Sequence, residues 1–255
     1  MKLATWNVNS LNVRLPHVLD WVAKQQPDVL CLQETKLEDA KFPVAALREA
    51  GYHALFSGQR TYNGVAILSR APAEHPLKGI PGLDDAQQRV VAATIAGVRV
   101  VCAYVPNGES LESPKFQYKM SWLAAFRVWL QDELARHPRL IVAGDYNIAP
   151  EARDVHDPEL WAAKIHFTPP EREALHALFG IGLEDAFRLF DQPERSYTWW
   201  DYRMMAFRRK MGLRIDHILL SPALVPLCTS CTIDVEPRRL ERPSDHAPVI
   251  VELRV

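Results

Sequence analysis

The chain has 255 residues, of which 48% are hydrophobic and 24% are charged, so neither a disordered nor a collagen-like protein is expected. This length is sufficient for one globular domain with a large core, and we predict a single domain over 1–255. The formal net charge of −1 argues against indiscriminate electrostatic binding to nucleic acid or to an anionic membrane.

The amino terminus enters a strand pattern at once, which is not typical of a signal peptide. No run approaches the roughly 20 apolar residues that a membrane helix needs. We therefore expect a cytoplasmic protein that has no membrane partner.

Strand and helix patterns alternate along the chain. The predicted strands are 2–7, 28–33, 52–57, 64–69, 89–96, 98–105, 139–145, 196–200, 215–220 and 247–254. The predicted helices are 14–25, 42–50, 114–136 and 170–180. Asn63-Gly64 and Ala96-Gly97 are typical turn sequences. The hairpins that they predict favour an α/β fold with mixed or antiparallel sheets and helices on the outside.

Six apolar runs meet a polar side chain at one end. The polar residues at these ends are Asn7, Glu34, Asn107, Asp145, Asn147, Asp216, His217, Asp245 and His246. Most of them offer oxygen ligands, and the strand ends at which they stand are where loops begin. Their number and spread predict that the fold gathers them at one edge for metal-dependent chemistry.

Taken singly, most of these residues leave two interpretations open. Glu34 can cap a helix or bind a hard cation, and Asn7 can bind loop backbone or join the same site. Asp145 and Asn147 lie two residues apart, so both face one side if the strand continues through them. A carboxylate and an amide so placed can hold a water for phosphodiester hydrolysis, but Gly-Asp-x-Asn is also an ordinary turn.

Asp245-His246 is the strongest local signal. Adjacent residues in an extended chain point in opposite directions, so these two are not expected to pair with each other. We predict that one binds metal or orients a partner while the other faces the substrate. His246 is then a cation beside a scissile phosphate, held by a carboxylate such as Glu34 or Asp245.

The stretch between Asp201 and Asp216 has five basic residues and no acidic one, with aromatic and methionine residues interleaved over 199–207. Stacking groups beside cations suit a nucleic-acid surface, and a solvated loop is the alternative. The spacing of Cys228 and Cys231 suits a metal or redox pair. No second ligand pair accompanies it, so we interpret these cysteines as structural.

The ordered motifs resemble the endonuclease/exonuclease/phosphatase superfamily of divalent-metal phosphoesterases, and more narrowly its exonuclease III type of abasic-site endonuclease. The segments that carry the resemblance are 5–10, 32–36, 87–90, 103–108, 144–150, 197–203, 213–216 and 244–248. Each motif is weak alone, but their order over nearly the whole chain is specific. The resemblance implies a four-layered α/β sandwich, in which two packed mixed sheets are flanked by helices.

The resemblance also implies roles for individual residues. The implied ligands of Mg²⁺, with Mn²⁺ as a substitute, are Glu34, Asn7 and Asp245. The implied catalytic residues are Asp145, Asn147, His246, Tyr104 and Asp216. The implied DNA-binding residues are Asn107, Trp199, Trp200, Arg203, Leu213, Asn9 and His166. In this scheme Trp199 and Leu213 form the wall of a pocket for a base-less sugar, and His166 influences access to it.

The implied function is Mg²⁺-dependent DNA repair by a monomer. The expected substrate is double-stranded DNA, cleaved 5′ to abasic sites or processed 3′→5′ to remove nucleotides or blocking groups. Three departures from relatives bear on specificity. Asn9 stands where some relatives have an aspartate, and Leu213 stands where some have a tryptophan. Glu109-Ser110 stand where some eukaryotic relatives have an arginine that inserts into DNA. The rival functions are a superfamily phosphatase acting on soluble phosphoesters and a DNA-binding module with a decayed site.

Overall fold

The computed structural model describes residues 1–255 and contains twelve strands and five α-helices. The strands are β1 Lys2–Asn7, β2 Val29–Gln33, β3 His53–Ser57, β4 Val65–Ser69, β5 Glu74–Lys78, β6 Val90–Ile95, β7 Val98–Tyr104, β8 Leu140–Asp145, β9 Glu184–Asp185, β10 Asp216–Leu220, β11 Cys228–Ile233 and β12 Val249–Leu253. The helices are α1 Leu11–Gln25, α2 Val44–Glu49, α3 Pro114–Arg136, α4 Pro158–Trp161 and α5 Pro169–Phe179.

Two mixed six-stranded sheets form the centre of the molecule. The first has the strand order β11-β12-β1-β2-β4-β3 and the second the order β5-β6-β7-β8-β10-β9. Alternate side chains of the strands point to opposite faces, and both faces of each sheet are covered. One apolar cluster lies between the sheets, another joins the first sheet to α1 and α2, and a third joins the second sheet to α3 and α5. The predicted four-layered α/β sandwich is therefore confirmed.

One parallel pair stands inside each sheet, β1 with β2 and β7 with β8, and the other neighbours are antiparallel. The carboxyl ends of these four strands consequently meet the amino ends of β10 and β12 at one edge. Gly144 allows β8 to lie close to β7, because a Cβ atom there would overlap the carbonyl oxygen of Ala103. This edge is where the polar strand ends come together.

Helix ends follow local signals. Pro114 occupies the first turn of α3, and the Ser113 hydroxyl caps that turn by accepting from the Lys115 amide at 3.2 Å. The α5 helix begins with a reciprocal capping box between Thr168 and Glu171. No helix of the chain combines the length and the apolar character needed to cross a membrane.

The predicted turn at Ala96-Gly97 is confirmed, since both residues have positive φ (49° and 77°) and join β6 to β7. The predicted strand 196–200 is wrong. Within it only Trp199 makes isolated bridges, to Leu213 and His246. The strands β5, β9 and β11 and the short helix α4 are not predicted by the sequence patterns, because these elements are short or lie at sheet edges with exposed side chains.

Candidate active site

Side chains from both sheets meet at the shared edge. Asn7 ends β1 and Glu34 follows β2, while Tyr104 and Asp145 end β7 and β8. The Asn7 amide nitrogen donates to Glu34 Oε1 at 2.9 Å and to Asp145 Oδ2 at 2.8 Å. The Tyr104 hydroxyl donates to Glu34 Oε1 at 3.0 Å. These four side chains at strand ends therefore form one hydrogen-bonded group.

A possible metal-binding cluster lies at this point. Carboxylate oxygens of Glu34 and Asp145 and a ring nitrogen of His246 lie within 4.8 Å of one another. Two carboxylates that converge on one amide suit a hard divalent cation, which prefers oxygen ligands and needs only one or two carboxylates. Two positive groups lie beside these carboxylates. The Lys36 ammonium lies 2.8 Å from Glu34 Oε2, and the His246 ring lies 3.8 Å from Asp145 Oδ2. The donor set therefore fits a divalent metal ion.

His246 is paired with Asp216, whose Oδ2 lies 2.9 Å from the ring Nδ1. The prediction that Glu34 or Asp245 would be its partner is wrong, because Asp216 at the start of β10 faces the ring directly. Burial lowers the pKa of His246, but the carboxylates of Asp216 and Asp145 outweigh it and raise that pKa to about 10. The imidazole is therefore a cation at neutral pH.

Asp145 is buried, and burial raises its pKa to about 7 although the His246 cation lowers it. Its Oδ1 accepts from the backbone N–H of Asn147 at 2.9 Å. The side chain of Asn147 bonds the Val105 carbonyl at 3.0 Å and lies 3.3 Å from the amide nitrogen of Asn107, which donates to it. A carboxyl group with this pKa can exchange a proton near neutral pH.

Asp245 lies outside the group formed by Glu34, Asp145 and His246. Its Oδ1 accepts from the Asn9 amide at 2.9 Å, and its Oδ2 accepts from the Trp199 indole at 3.0 Å. The carboxylate therefore ties the loop after β1 to the aromatic segment, which differs from its expected place among the direct metal ligands.

The predicted pocket wall is a packed aromatic group. Trp199 and Leu213 exchange two backbone hydrogen bonds of 2.9 Å. The rings of Trp161 and His166 lie 6.4 and 6.0 Å from the Trp199 ring. His166 Nδ1 lies 2.8 Å from the Asn147 carbonyl oxygen, and burial, aided by the Lys119 cation, lowers its pKa to about 4. His166 is therefore a neutral ring beside the wall.

The two other predicted DNA contacts of this segment differ in exposure. The Arg203 side chain is 85% exposed and pairs with Asp201 at 2.7 Å. Trp200 is only 4% exposed and packs edge-on against Phe207, with the Arg238 cation 5.8 Å from its ring. The prediction that Trp200 contacts DNA is therefore wrong, because its ring has no free face; it supports the segment from beneath.

Two buried charged residues near the site are not predicted from the sequence. Lys119 and Glu171 are both fully buried, and their charged atoms lie 2.5 Å apart. The available signal for Lys119 is its position on α3, three residues after Phe116 and four before Leu123 on the buried face. The signal for Glu171 is the Thr-Pro-Pro-Glu capping sequence at the start of α5.

A family model and two sequence relatives match nearly the whole chain. A model of the Endonuclease/Exonuclease/phosphatase family matches residues 4–246. The chain is 35% identical over 268 residues to exodeoxyribonuclease III of Haemophilus influenzae, with 100% of both chains covered. It is also 35% identical over 263 residues to DNA repair nuclease APEX1 of Danio rerio, covering 100% of this chain and 83% of that protein.

Solved structures of related proteins superpose over the whole chain. The 3′ phosphatase NExo from Neisseria, bound to a product DNA hairpin, has a TM-score of 0.98 and 52% identity, with 100% of each chain covered. An AP endonuclease from Archaeoglobus fulgidus has a TM-score of 0.97 and 39% identity, again with 100% of each chain covered. The chain therefore belongs to the endonuclease/exonuclease/phosphatase family, as its ordered motifs predict.

Proposed function

We propose that this protein is a Mg²⁺-dependent DNA repair nuclease that acts as a single-domain monomer on double-stranded DNA. It cleaves 5′ to abasic sites and removes nucleotides or blocking groups 3′→5′. The observation that carries the proposal is the convergence of Glu34, Asp145 and His246 at one edge of the sandwich. Relatives named as exodeoxyribonuclease, DNA repair nuclease, 3′ phosphatase and AP endonuclease support the DNA substrate.

Each residue has a role that its contacts support. Asp145 activates or positions the attacking water, with Asn147 beside it to orient that water, and a pKa of about 7 allows the carboxylate to accept a proton at neutral pH. The His246 cation lies beside the phosphate and stabilises the negative charge of the transition state, with Asp216 holding its ring. Asn107 contacts the phosphate, and Tyr104 lies near the phosphate or the leaving oxygen.

The residues that would hold Mg²⁺ are Glu34 as the principal ligand, with Asn7 beside it. The bound ion would polarise a phosphoryl oxygen and stabilise the departing 3′-oxygen. Asn7 keeps the carboxylates of Glu34 and Asp145 together through its two hydrogen bonds. Lys36 neutralises part of the Glu34 charge at 2.8 Å.

The wall around Trp199 contacts the deoxyribose at the cleavage point in this proposal. Trp199 and Leu213 supply apolar surface, which accepts a sugar lacking its base more readily than a nucleotide that must be flipped out of its stack. The His166 and Trp161 rings pack against the Trp199 ring of the same wall. The 52% identity to the Neisseria 3′ phosphatase supports 3′-end processing as a second activity.

The metal requirement tests the proposal directly. We expect cleavage of a duplex with one abasic analogue, and of a duplex with a 3′-phosphate, in the presence of Mg²⁺. Chelation or the Glu34→Gln substitution should lower both rates by at least about 100-fold, because a bound metal ion supplies several kcal/mol of transition-state stabilisation. Rates are measured from labelled oligonucleotides under single-turnover conditions.

Glu38→Gln is the matched control, since Glu38 is a carboxylate four residues further on that pairs only with surface cations. We expect it to retain the wild-type rate. Cleavage that survives chelation or Glu34→Gln would contradict the metal mechanism. Turnover of inositol phosphates without any DNA cleavage would instead support the phosphatase rival, and duplex binding without cleavage would support a decayed site.

A further inference from the structure

The ammonium group of Lys119 is buried beneath the active site, on the face of α3 that packs against the second sheet. Its three N–H donors meet three acceptors. These are the Asn107 carbonyl at 3.2 Å, the Asn147 carbonyl at 2.8 Å and Glu171 Oε1 at 2.5 Å. An ammonium has three donors, so every one of them has a partner.

The first two acceptors belong to the loops that follow β7 and β8. Asn147 occupies the left-handed region with φ 51°, and its own N–H donates to Asp145 Oδ1 at 2.9 Å. A continuous chain of contacts therefore runs from Lys119 through the Asn147 peptide units to the Asp145 carboxylate. Gly108, next to Asn107, also has a positive φ of 95°. Glycine adopts this conformation without steric cost, whereas a residue with a side chain adopts it less often.

The third acceptor extends the arrangement to α5. Glu171 Oε1 also accepts from the His166 backbone N–H at 3.0 Å, and its Oε2 accepts from the Thr168 amide and hydroxyl at 3.1 and 2.7 Å. The His166 ring in turn bonds the same Asn147 carbonyl that Lys119 holds. One buried ion pair therefore connects three segments at the edge of the site.

Packing alone does not account for this pair. Taking two charges out of water is costly, and apolar residues of similar volume often stabilise a core as well or better. An apolar pair would leave the Asn107 carbonyl without the Lys119 donor and would leave the Asn147 carbonyl with the His166 ring alone. The charged pair does what an apolar pair cannot do, which is to fix the direction of these two peptide groups.

We propose that Lys119 and Glu171 are positioning residues of the nuclease, which hold Asn147 against Asp145 and hold Asn107 toward the substrate phosphate. This inference rests on the proposed function for the roles of Asp145 and Asn107. Neither residue touches the reacting atoms, so both act through the two loops. Their effect belongs in the chemical step, while the DNA-contacting surface around Trp199 and Arg203 stays unchanged.

The test uses the double substitution K119M/E171Q, which removes both charges and leaves no buried ion unpaired. A second buried ion pair, between Arg99 of β7 and Glu133 of α3, supplies the control. Arg99 Nε lies 2.7 Å from Glu133 Oε2 near the other end of α3, and both side chains are buried. The control variant R99M/E133Q therefore also loses a buried ion pair, but at a position away from the site.

For K119M/E171Q we expect kcat to fall about 100-fold, the effect typical of misplaced catalytic groups. KM for the duplex should stay within about threefold, because binding contacts are retained. Amide hydrogen exchange in loops 106–109 and 147–149 should become at least about tenfold faster than in the control, since the carbonyl anchors are lost. R99M/E133Q should keep the wild-type kcat with a comparable fall in melting temperature.

A kcat for K119M/E171Q that matches the R99M/E133Q control would overturn the inference, as would unchanged exchange in the two loops. If the double variant does not fold, the conservative Glu171→Asp variant replaces it, which keeps both charges but shortens the side chain, with the same loops expected to exchange faster. A wild-type protein that cleaves no DNA refutes the proposed function, and the exchange measurement then still decides whether the pair holds these loops.

Discussion

Three buried histidines close to the site carry different charges because their partners differ. His246 faces the Asp216 carboxylate and is a cation. His166 faces a carbonyl oxygen and the Lys119 cation, and its pKa is lowered. His217 is also buried, and its pKa is lowered by burial first and then by Arg214. Local partners therefore place one positive ring beside the carboxylates and two neutral rings behind them.

The low pKa of His166 predicts a pH-dependent stability. The unfolded chain binds a proton at this side chain below about pH 6.5, whereas the folded protein stays neutral there until pH falls to about 4. Stability should therefore fall with pH through this window. Relative to His166→Gln, the wild type should lose about 2 kcal/mol between pH 7 and pH 5.

Urea unfolding at the two pH values measures this difference, with glutamine retaining a donor for the Asn147 carbonyl. His53→Gln, at an exposed position of β3, is the control and should follow the wild-type curve. Parallel stability curves for the wild type and His166→Gln would contradict the assignment of a neutral buried ring.

Among the elements, the pairing of β7 and β8 most directly sets the position of the Asp145 carboxylate. Asp145 is the last residue of β8 and is paired with Tyr104, the last residue of β7. One step earlier, Gly144 is paired with Ala103 and lies against its carbonyl. The absence of a side chain at 144 therefore sets how close Asp145 comes to Tyr104.

Gly144→Ala should destabilise the protein by about 1–3 kcal/mol, since an added methyl group in a packed interior forces backbone shifts. Activity should fall as well, because β8 must move away from β7. Thermal unfolding and cleavage rates test both effects. Gly180→Ala is the matched control. Its φ is −62° and the nearest atoms lie 3.5 Å or more from an added Cβ, so neither property should fall. Equal stability of the two variants would refute this account.

Buried elements could be predicted from sequence more fully than exposed ones. The strands of the parallel pairs are entirely or almost entirely buried, and their apolar runs predict them well. The edge strand β5 has the sequence Glu-His-Pro-Leu-Lys and is mostly exposed, so its pairing leaves no apolar pattern. In 196–200 the aromatic run reflects packing of Tyr197 and Trp200, not a strand.

At the scale of the whole molecule, the site belongs to neither sheet alone. Asn7, Glu34 and His246 come from the first sheet, and Asp145 and Asp216 come from the second. The hydrogen bonds of Asn7 to Asp145 and of His246 to Asp216 therefore join the two sheets. The site is therefore assembled when the two sheets pack against each other through the apolar layer between them.

Asp216→Asn tests the charge coupling between the sheets. Asp216 is the strongest cause that raises the pKa of His246, so its neutralisation should lower that pKa from about 10 toward the ordinary value. The imidazole resonances report the change in an NMR titration of the metal-free protein. Asp245→Asn should lower the pKa less, since the Asp245 carboxylate raises the His246 pKa less than Asp216 and Asp145 do. An unchanged pKa in Asp216→Asn would contradict the pairing.

The polar strand ends of the site could be predicted because each interrupts an apolar run, as Glu34 and Asp145 do. The partner of His246 could not, since Asp216 and Asp245 are both carboxylates at strand starts and only the packing of the sheets decides which one faces the ring. Lys119 could not be assigned either. Its position on the buried face of α3 is visible in the sequence, but the carbonyls that it meets come from two distant loops.

Strand pairing also distinguishes a part of the molecule whose position is fixed from connecting segments that can be replaced. The reacting groups stand at the ends of strands whose register is set by backbone pairing inside each sheet. Trp199 and Leu213 stand in connecting segments joined by isolated bridges. Such segments can change length or sequence without shifting any central strand. The same catalytic strand ends can thus be combined with different connecting segments, each of which fits a different kind of damaged DNA end.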